Sequence, residues 1–243
     1  MRAMGDGVRI KGFVEASFLD WPGKVSAVVF LPGCNFRCPF CHNGDLILNP
    51  GIFEDFPLEQ VVMSLEENQG FVDGVTLTGG EPSIIPGLPV LLGAIKASCL
   101  PVKLDTNGSK PEVLKALIGE GLVDAVAMDI KAELTPEAYA KASGKQADIE
   151  AIRESIELLL AADIDVAFRT TVVPGLHDAR SIGSIAEAVS GRSYTLQNFR
   201  PKYALDPAYT ELKPFSPEEF RRLQDAAKTR PEKAFAYQKQ EDT

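Results

Sequence analysis

Residues 25–43 read VSAVVFLPGCNFRCPFCHN. Six of the first seven are apolar and three are β-branched valines, the composition of a buried strand. Pro32-Gly33 then supplies turn chemistry. Cys34, Cys38 and Cys41, three of the four cysteines in the chain, follow in the spacing C-x3-C-x2-C. Thiolates packed this closely repel one another unless a soft cation holds them, so the loop reads as a metal or cluster site. A cubane iron–sulfur cluster normally takes four protein thiolates. Three leave one iron open, and an open position is where a metal does chemistry.

Spacing alone leaves rival readings. Cys38-Pro-Phe-Cys41 matches the C-x-x-C of thiol–disulfide oxidoreductases, but that leaves Cys34 idle in a chain too long for a thioredoxin-like domain. With His42 the stretch also matches the haem-attachment pattern C-x-x-C-H, which normally needs export. A closed Cys3His zinc site requires His42 to reach the ion that its neighbour Cys41 binds. Cys99 has no partner in sequence and is expected buried and inert.

Working outward, the chain alternates between strand and helix patterns. A short strand is expected over Val8 to Val14, followed by the turn SFLDWPGK. Further strands are expected over 25–31, 74–78, 102–106, 125–130, 166–173 and 193–199. Between them, apolar residues recur at helical spacing: Leu58, Val61, Val62 and Leu65; Leu88 to Ala97; Val113, Leu114, Leu117 and Ile118; Ile149, Ile152, Ile156 and Leu159; Ile182, Ile185 and Val189. Ser216-Pro-Glu-Glu219 carries a capping box with Pro at the first helical position, so a helix is expected from about Pro217 to Ala227. The stretch before it, RPKYALDPAYTELKPFSP, reads as an irregular connection, and the polar tail after Arg230 as frayed.

Strict alternation of six strand–helix units predicts an α/β fold with a parallel sheet. Each strand begins apolar and ends in polar side chains, as at Thr78-Gly-Gly-Glu81, Asp105-Thr106, Asp129-Ile-Lys131 and Arg169-Thr-Thr171. Functional residues at every strand end suit the mouth of a barrel better than the single switch point of an open sheet. The expectation is a partial (β/α)6 TIM-like barrel in one domain over 1–243. Its core spans about 10–200, the connection and helix about 200–229, and the tail 230–243.

Composition narrows the classes. With 243 residues and 45% hydrophobic side chains a large core is possible, and the formal charge is −9. No basic run is present to bind nucleic acid. No stretch approaches the roughly 20 apolar residues needed to span a bilayer. The start, MRAMGDGVRI, lacks the apolar run of a secretory signal, so a reducing, cytoplasmic compartment is expected.

The three-cysteine loop, with aromatic Phe40 before its last cysteine, resembles the radical S-adenosylmethionine (SAM) superfamily. Thr78-Gly79-Gly80-Glu81-Pro82 is similar to that superfamily's GGE motif, on the next strand. VKLDTNG, AMDIK and FRTTVVPG extend the similarity over roughly residues 10 to 200, towards glycyl-radical-enzyme activating enzymes and, within them, anaerobic ribonucleoside-triphosphate reductase activating proteins.

The resemblance implies a [4Fe–4S] cluster on Cys34, Cys38 and Cys41, with SAM bound at the open iron. One-electron reduction would cleave SAM to methionine and a 5′-deoxyadenosyl radical, which takes hydrogen from a glycine Cα of a partner enzyme. Phe40, Asn43, Gly79, Gly80, Glu81, Thr106, Asp129, Lys131 and Arg169 fall at cofactor-binding positions. Gly79 and Gly80 would offer bare backbone groups to the SAM amino group, with Glu81 as charge partner, while Lys131 would meet the SAM carboxylate. The resemblance also implies a monovalent cation held by the Asp105 and Asp129 carboxylates, with Thr106 and Met128 lending backbone oxygens; carboxylates so close raise one another's pKa unless a cation intervenes. Asp20 corresponds to a turn that faces the partner's glycine loop. His42 and His177 are expected to be solvated or capping.

An electron donor of low potential, such as flavodoxin or ferredoxin, is implied as a second partner. No cysteine lies between Cys41 and Thr78, so no auxiliary cluster is expected. Two other functions compete. One is radical SAM chemistry on a small molecule, as in 7-deazaguanine biosynthesis, with the mouth closed by the 200–216 connection. The other is a zinc- or thiol-based redox or binding protein.

Overall fold

A computed structural model describes residues 8–228. Seven strands form one sheet in chain order: β1 (Gly12–Ser17), β2 (Ser26–Leu31), β3 (Gly74–Gly79), β4 (Val102–Thr106), β5 (Ala125–Asp129), β6 (Asp165–Val172) and β7 (Ser193–Asn198). β2 to β7 are parallel, each paired to its sequence neighbour. β1 runs antiparallel along the edge of β2. The expected first strand is therefore real but displaced. It starts at Gly12 and reaches Ser17, where the pairing with β2 has shifted register. The other six follow the sequence expectation to within a residue at each end.

The helices are α1 (Gly44–Leu48), α2 (Leu58–Glu67), α3 (Leu88–Lys96), α4 (Pro111–Gly119), α5 (Pro136–Ser143), α6 (Ile149–Ala161), α7 (Ala179–Ala188) and α8 (Pro217–Ala227). Five of the expected helical faces became α2, α3, α4, α6 and α7. The capping box of α8 is made as expected, Ser216 Oγ accepting from the Glu219 amide and Glu219 from the Ser216 amide. Helices α1 and α5 were not expected. α5 begins at Thr135, whose hydroxyl accepts from the Ala138 amide, with Pro136 at the first turn. The tail beyond Arg230 lies outside the described residues.

Strand alternation explains the barrel. On one face Ala27, Val29, Leu31, Val75, Leu77, Leu104, Val126, Met128, Phe168 and Val172 join the buried core. Their partners there include Leu91, Leu92, Leu114, Ile152 and Ile182 of the helices. Each such side chain contributes about 1.5–3 kcal/mol when fully buried. The opposite face carries Phe30, Thr78, Asp105, Asp129, Arg169, Thr171 and Gln197, which line one cavity of about 390 Å³. Residues from all six parallel strands surround that cavity, so the sheet curls around it as a partial barrel, open between β1 and β7. Among the described residues, no helix is long and apolar enough to cross a membrane.

Candidate active site

The cysteine loop leaves β2 through Gly33, whose φ of +75° suits glycine. Arg37 fixes the loop from two sides. Its amide donates to the Ser143 carbonyl at 2.7 Å, and its guanidinium donates to the carbonyls of Cys34 (2.6 Å) and Phe36 (2.7 Å). Gly144, with φ of +68°, lets α5 end against Arg37, since a Cβ there would overlap the Arg37 carbonyl. Asn35 donates to Ser109 Oγ at 2.7 Å and accepts from Asn107 at 2.9 Å, joining the loop to the end of β4. These braces join segments far apart in the chain, so no local signal marks them, although the DTNG turn and the Thr135-Pro136 helix start are visible in the sequence.

Cys34, Cys38 and Cys41 are free thiols, and all three line the cavity. Burial pushes each thiol up, Cys38 to about 12, while the nearby Lys131 ammonium pulls all three down. A metal binds the thiolate form, so cluster binding would have to release these protons. Among the described residues no three His, Cys, Asp or Glu side chains stand close enough to hold a single metal ion. His42 is exposed, and its Nε2 lies 2.6 Å from the Arg200 carbonyl oxygen. A Cys3His zinc centre is thus not assembled. A cubane cluster is larger than an ion and meets each thiolate at a separate iron, so a three-sided loop around a cavity suits it.

Gly79 and Gly80 are required by close approach. A Cβ on Gly79 would lie 2.5 Å from the Leu31 carbonyl oxygen, and one on Gly80 would overlap the Gly33 carbonyl. Both line the cavity, but one amide and one carbonyl of the edge expected to be bare are engaged. The Gly80 amide donates to Leu31, and the Gly79 carbonyl accepts from Asn43 Nδ2 at 2.7 Å.

Glu81 is 1% exposed. Its Oε1 accepts from the Ser83 amide (3.0 Å), Ser83 Oγ (2.5 Å) and Thr106 Oγ1 (2.7 Å), and its Oε2 accepts from the Asn107 amide (2.6 Å). Burial raises its carboxyl against these bonds, which lower it. The side chain expected to face a ligand ammonium instead ties the end of β3 to the end of β4.

A ladder of ion pairs crosses the cavity. Lys103 pairs with Asp105. Arg169 reaches Asp105 Oδ2 at 3.2 Å and Asp129 Oδ1 at 2.9 Å, and Lys131 Nζ stands 3.1 Å from Asp129 Oδ2. Burial would raise the Asp129 carboxyl, but Arg169 and Lys131 outweigh it and hold it at about 2. The intervening positive charge predicted from the carboxylate pair is therefore present, but it comes from the chain's own side chains. The Thr106 side chain bonds Glu81 and that of Met128 is buried against Gly108, so neither side chain is offered to a cation; the expectation concerned their backbone oxygens. Lys103 was overlooked. Its two-residue spacing from Asp105 places both on one strand face.

The Asp20 carboxylate accepts from Ser17 Oγ at 2.5 Å, and its backbone oxygen accepts from Lys103 Nζ at 2.9 Å. Asp20 also lines the cavity, entering from the turn that joins the antiparallel pair β1–β2. Phe40 is buried beside the cysteines. His177, expected solvated or capping, is 5% exposed. Its Nδ1 accepts from the Val173 amide at 3.0 Å, which leaves Nε2–H to donate to the Lys131 carbonyl at 2.9 Å. Cys99, expected buried, is exposed after α3 with φ of +59°. The 200–216 connection does not close the mouth. Its Asp206 amide donates to the Pro39 carbonyl at 2.9 Å, and none of its residues lines the cavity.

Fold and site together define a class: a partial (β/α)6 barrel carrying a three-cysteine loop at the C-terminal ends of its strands. Residues 28–184 match the radical SAM superfamily. A Methanocaldococcus jannaschii protein assigned to glycyl-radical enzyme activation is 34% identical over 225 residues, covering 90% of this chain and 91% of its own. The pyruvate formate-lyase-activating enzyme of Clostridium pasteurianum is 28% identical over 182 residues, 71% of each chain. Among solved structures, coproporphyrinogen III oxidase of Escherichia coli, described as a radical SAM enzyme, superposes with a TM-score of 0.56 at 14% identity. That match covers 83% of this chain and 50% of the other, so this chain spans about half of that enzyme and shares its fold. The chain belongs to the radical SAM superfamily, and it is a radical SAM enzyme. Membership implies a [4Fe–4S] cluster and SAM, and three free thiols around a cavity that also carries Lys131 and Arg169 fit both.

Proposed function

We propose that this enzyme is an activase that installs a glycyl radical on a partner protein, and that the partner is an anaerobic ribonucleoside-triphosphate reductase. The observation that carries the reading is the joint lining of one cavity by Cys34, Cys38, Cys41, Lys131, Arg169 and Asp20. When bound by Cys34, Cys38 and Cys41, the cluster would pass one electron from an external donor to SAM, and the cleavage to methionine would supply the radical chemistry that takes hydrogen from the partner's glycine Cα. The three thiolates hold the cluster. Lys131, close enough to pull all three thiols down, offers its ammonium to the SAM carboxylate. Arg169 and Asp129 hold Lys131 in place, and Asp20 offers a carboxylate to the incoming backbone. A cavity that the 200–216 connection leaves uncovered suits a protein substrate better than an enclosed small molecule. The resemblance through VKLDTNG, AMDIK and FRTTVVPG supports the reductase as partner, and the stretch without cysteines between Cys41 and Thr78 supports an activase with no auxiliary cluster. A flavodoxin or ferredoxin in the cytoplasm would supply the electron.

The test is anaerobic electron paramagnetic resonance of the reduced protein, with and without SAM, and then with the reductase added. A cluster signal that shifts with SAM, followed by a doublet from a glycine radical on the reductase, is the expected result. SAM cleavage with no paramagnetic glycine on the reductase would overturn the proposed partner. A Cys38→Ser variant should lose both signals.

A further inference from the structure

The ladder across the cavity holds three cationic side chains, Lys103, Arg169 and Lys131, against two carboxylates, Asp105 and Asp129. The monovalent cation implied by resemblance does not fit this arrangement. Asp105 is paired on one oxygen with Lys103 and on the other with Arg169. Asp129 is paired on one oxygen with Arg169 and on the other with Lys131. An added cation would approach these oxygens through three like charges, in a cavity wall where such repulsion is poorly screened.

We propose that Lys103, with Arg169, supplies to Asp105 the positive charge that a bound monovalent ion would otherwise supply, so that the enzyme needs no such ion. The geometry around the nitrogen is that of a small ion among oxygens. Nζ donates to the Asp20 backbone oxygen at 2.9 Å and to the Asp105 carboxylate. The side chain is 6% exposed and that of Asp105 13%. An ammonium has three donors and no acceptor, and two of them meet oxygens here, the Asp20 carbonyl and the Asp105 carboxylate. Lys103 also connects two elements that a free ion would connect less firmly. It joins the turn carrying Asp20 to the strand end carrying Asp105, and Arg169 continues the chain of charges to Asp129 and Lys131. The inference rests on these ion pairs and not on the proposed reaction.

The experiment compares melting temperatures of the anaerobically purified, cluster-loaded protein in potassium, sodium and choline chloride at equal ionic strength. The three should agree for the wild type. Lys103→Ala removes one partner of a buried carboxylate, so in choline chloride it should melt roughly 5–10 °C lower. It should recover part of that loss in potassium chloride or with added methylammonium, which can enter the space left by the side chain. Saturable stabilisation of the wild type by potassium or sodium over choline would overturn the proposal. So would a Lys103→Ala protein that no small cation rescues. Should that variant not fold, equilibrium dialysis of the wild type against rubidium decides. No stoichiometric uptake supports the proposal, and about one ion per chain defeats it. Neither readout uses SAM or a partner enzyme, so its failure is separable from failure of the activase reading.

Discussion

Asn43 Nδ2 donates to the Gly79 carbonyl oxygen at 2.7 Å, so the residue two places past the third cysteine is bonded to the first glycine at the end of β3. The loop and the strand end that enclose the cavity therefore move as one piece. Asn43→Ala leaves the carbonyl without this donor and should cost about 1 kcal/mol. Asn43→Asp turns a carboxylate towards the same oxygen and should cost more. Urea unfolding at neutral pH should rank wild type above Ala and Ala above Asp. An Ala variant as stable as the wild type would mean that the bond contributes nothing.

Two glycines with opposite surroundings give a paired prediction. A Cβ at Gly80 would overlap the Gly33 carbonyl, whereas one at Gly93, exposed on α3, meets nothing within 4 Å. Gly80→Ala must displace the turn that leads into Cys34, and cluster content, read as iron and sulfide per chain, should fall sharply. Gly93→Ala removes backbone freedom from a helix interior and should stabilise by about 0.5–1 kcal/mol. Full cluster content in Gly80→Ala would show that the two loops can separate without harm.

The six parallel strands and five of the helical faces were legible because their signals are local: period two against period 3.6, with apolar residues fixing the phase. α5 escaped because its mean apolarity is low and its buried residues, Tyr139, Ala142 and Ser143, are mostly small or polar-tipped. In the site, the cysteines and the strand-end carboxylates could be picked out by residue type. Their partners could not. That Glu81 would meet Thr106 and Asn107, or that Arg169 would stand between Asp105 and Asp129, depends on how far neighbouring strands are staggered, and no single strand encodes that. His177 shows the same limit. A lone histidine after Pro174-Gly175 looks solvated in sequence, yet the turn folds it inward onto the Lys131 carbonyl.

Glu81 offers a decisive substitution. Both carboxylate oxygens accept hydrogen bonds, three on one and one on the other. In Glu81→Gln an amide nitrogen must face at least one of these donors. The resulting mispaired group should destabilise by about 1–3 kcal/mol, measured by urea unfolding. SAM affinity should change only in proportion to the folded fraction. Unchanged stability with a large loss of SAM affinity would return Glu81 to the role of a ligand for the SAM ammonium.

His177 makes stability depend on pH in a predictable direction. Burial lowers its pKa against the two backbone hydrogen bonds, which raise it. The neutral ring matches its neighbours, with Nδ1 accepting from Val173 and Nε2–H donating to Lys131. A protonated ring would set Nδ1–H against the Val173 amide. The unfolded chain, with the ordinary histidine value of 6.5, therefore binds a proton before the folded chain does. The contribution of His177 to stability is complete above that value, falls as pH drops through it, and levels off below the lowered folded value. For one proton the slope cannot exceed about 1.4 kcal/mol per pH unit. His177→Gln keeps a polar side chain without the titration, so the difference in unfolding free energy between wild type and variant should shrink as pH is lowered from 8 to 5.5. A difference that stays constant over that range would mean that His177 does not resist protonation in the folded protein.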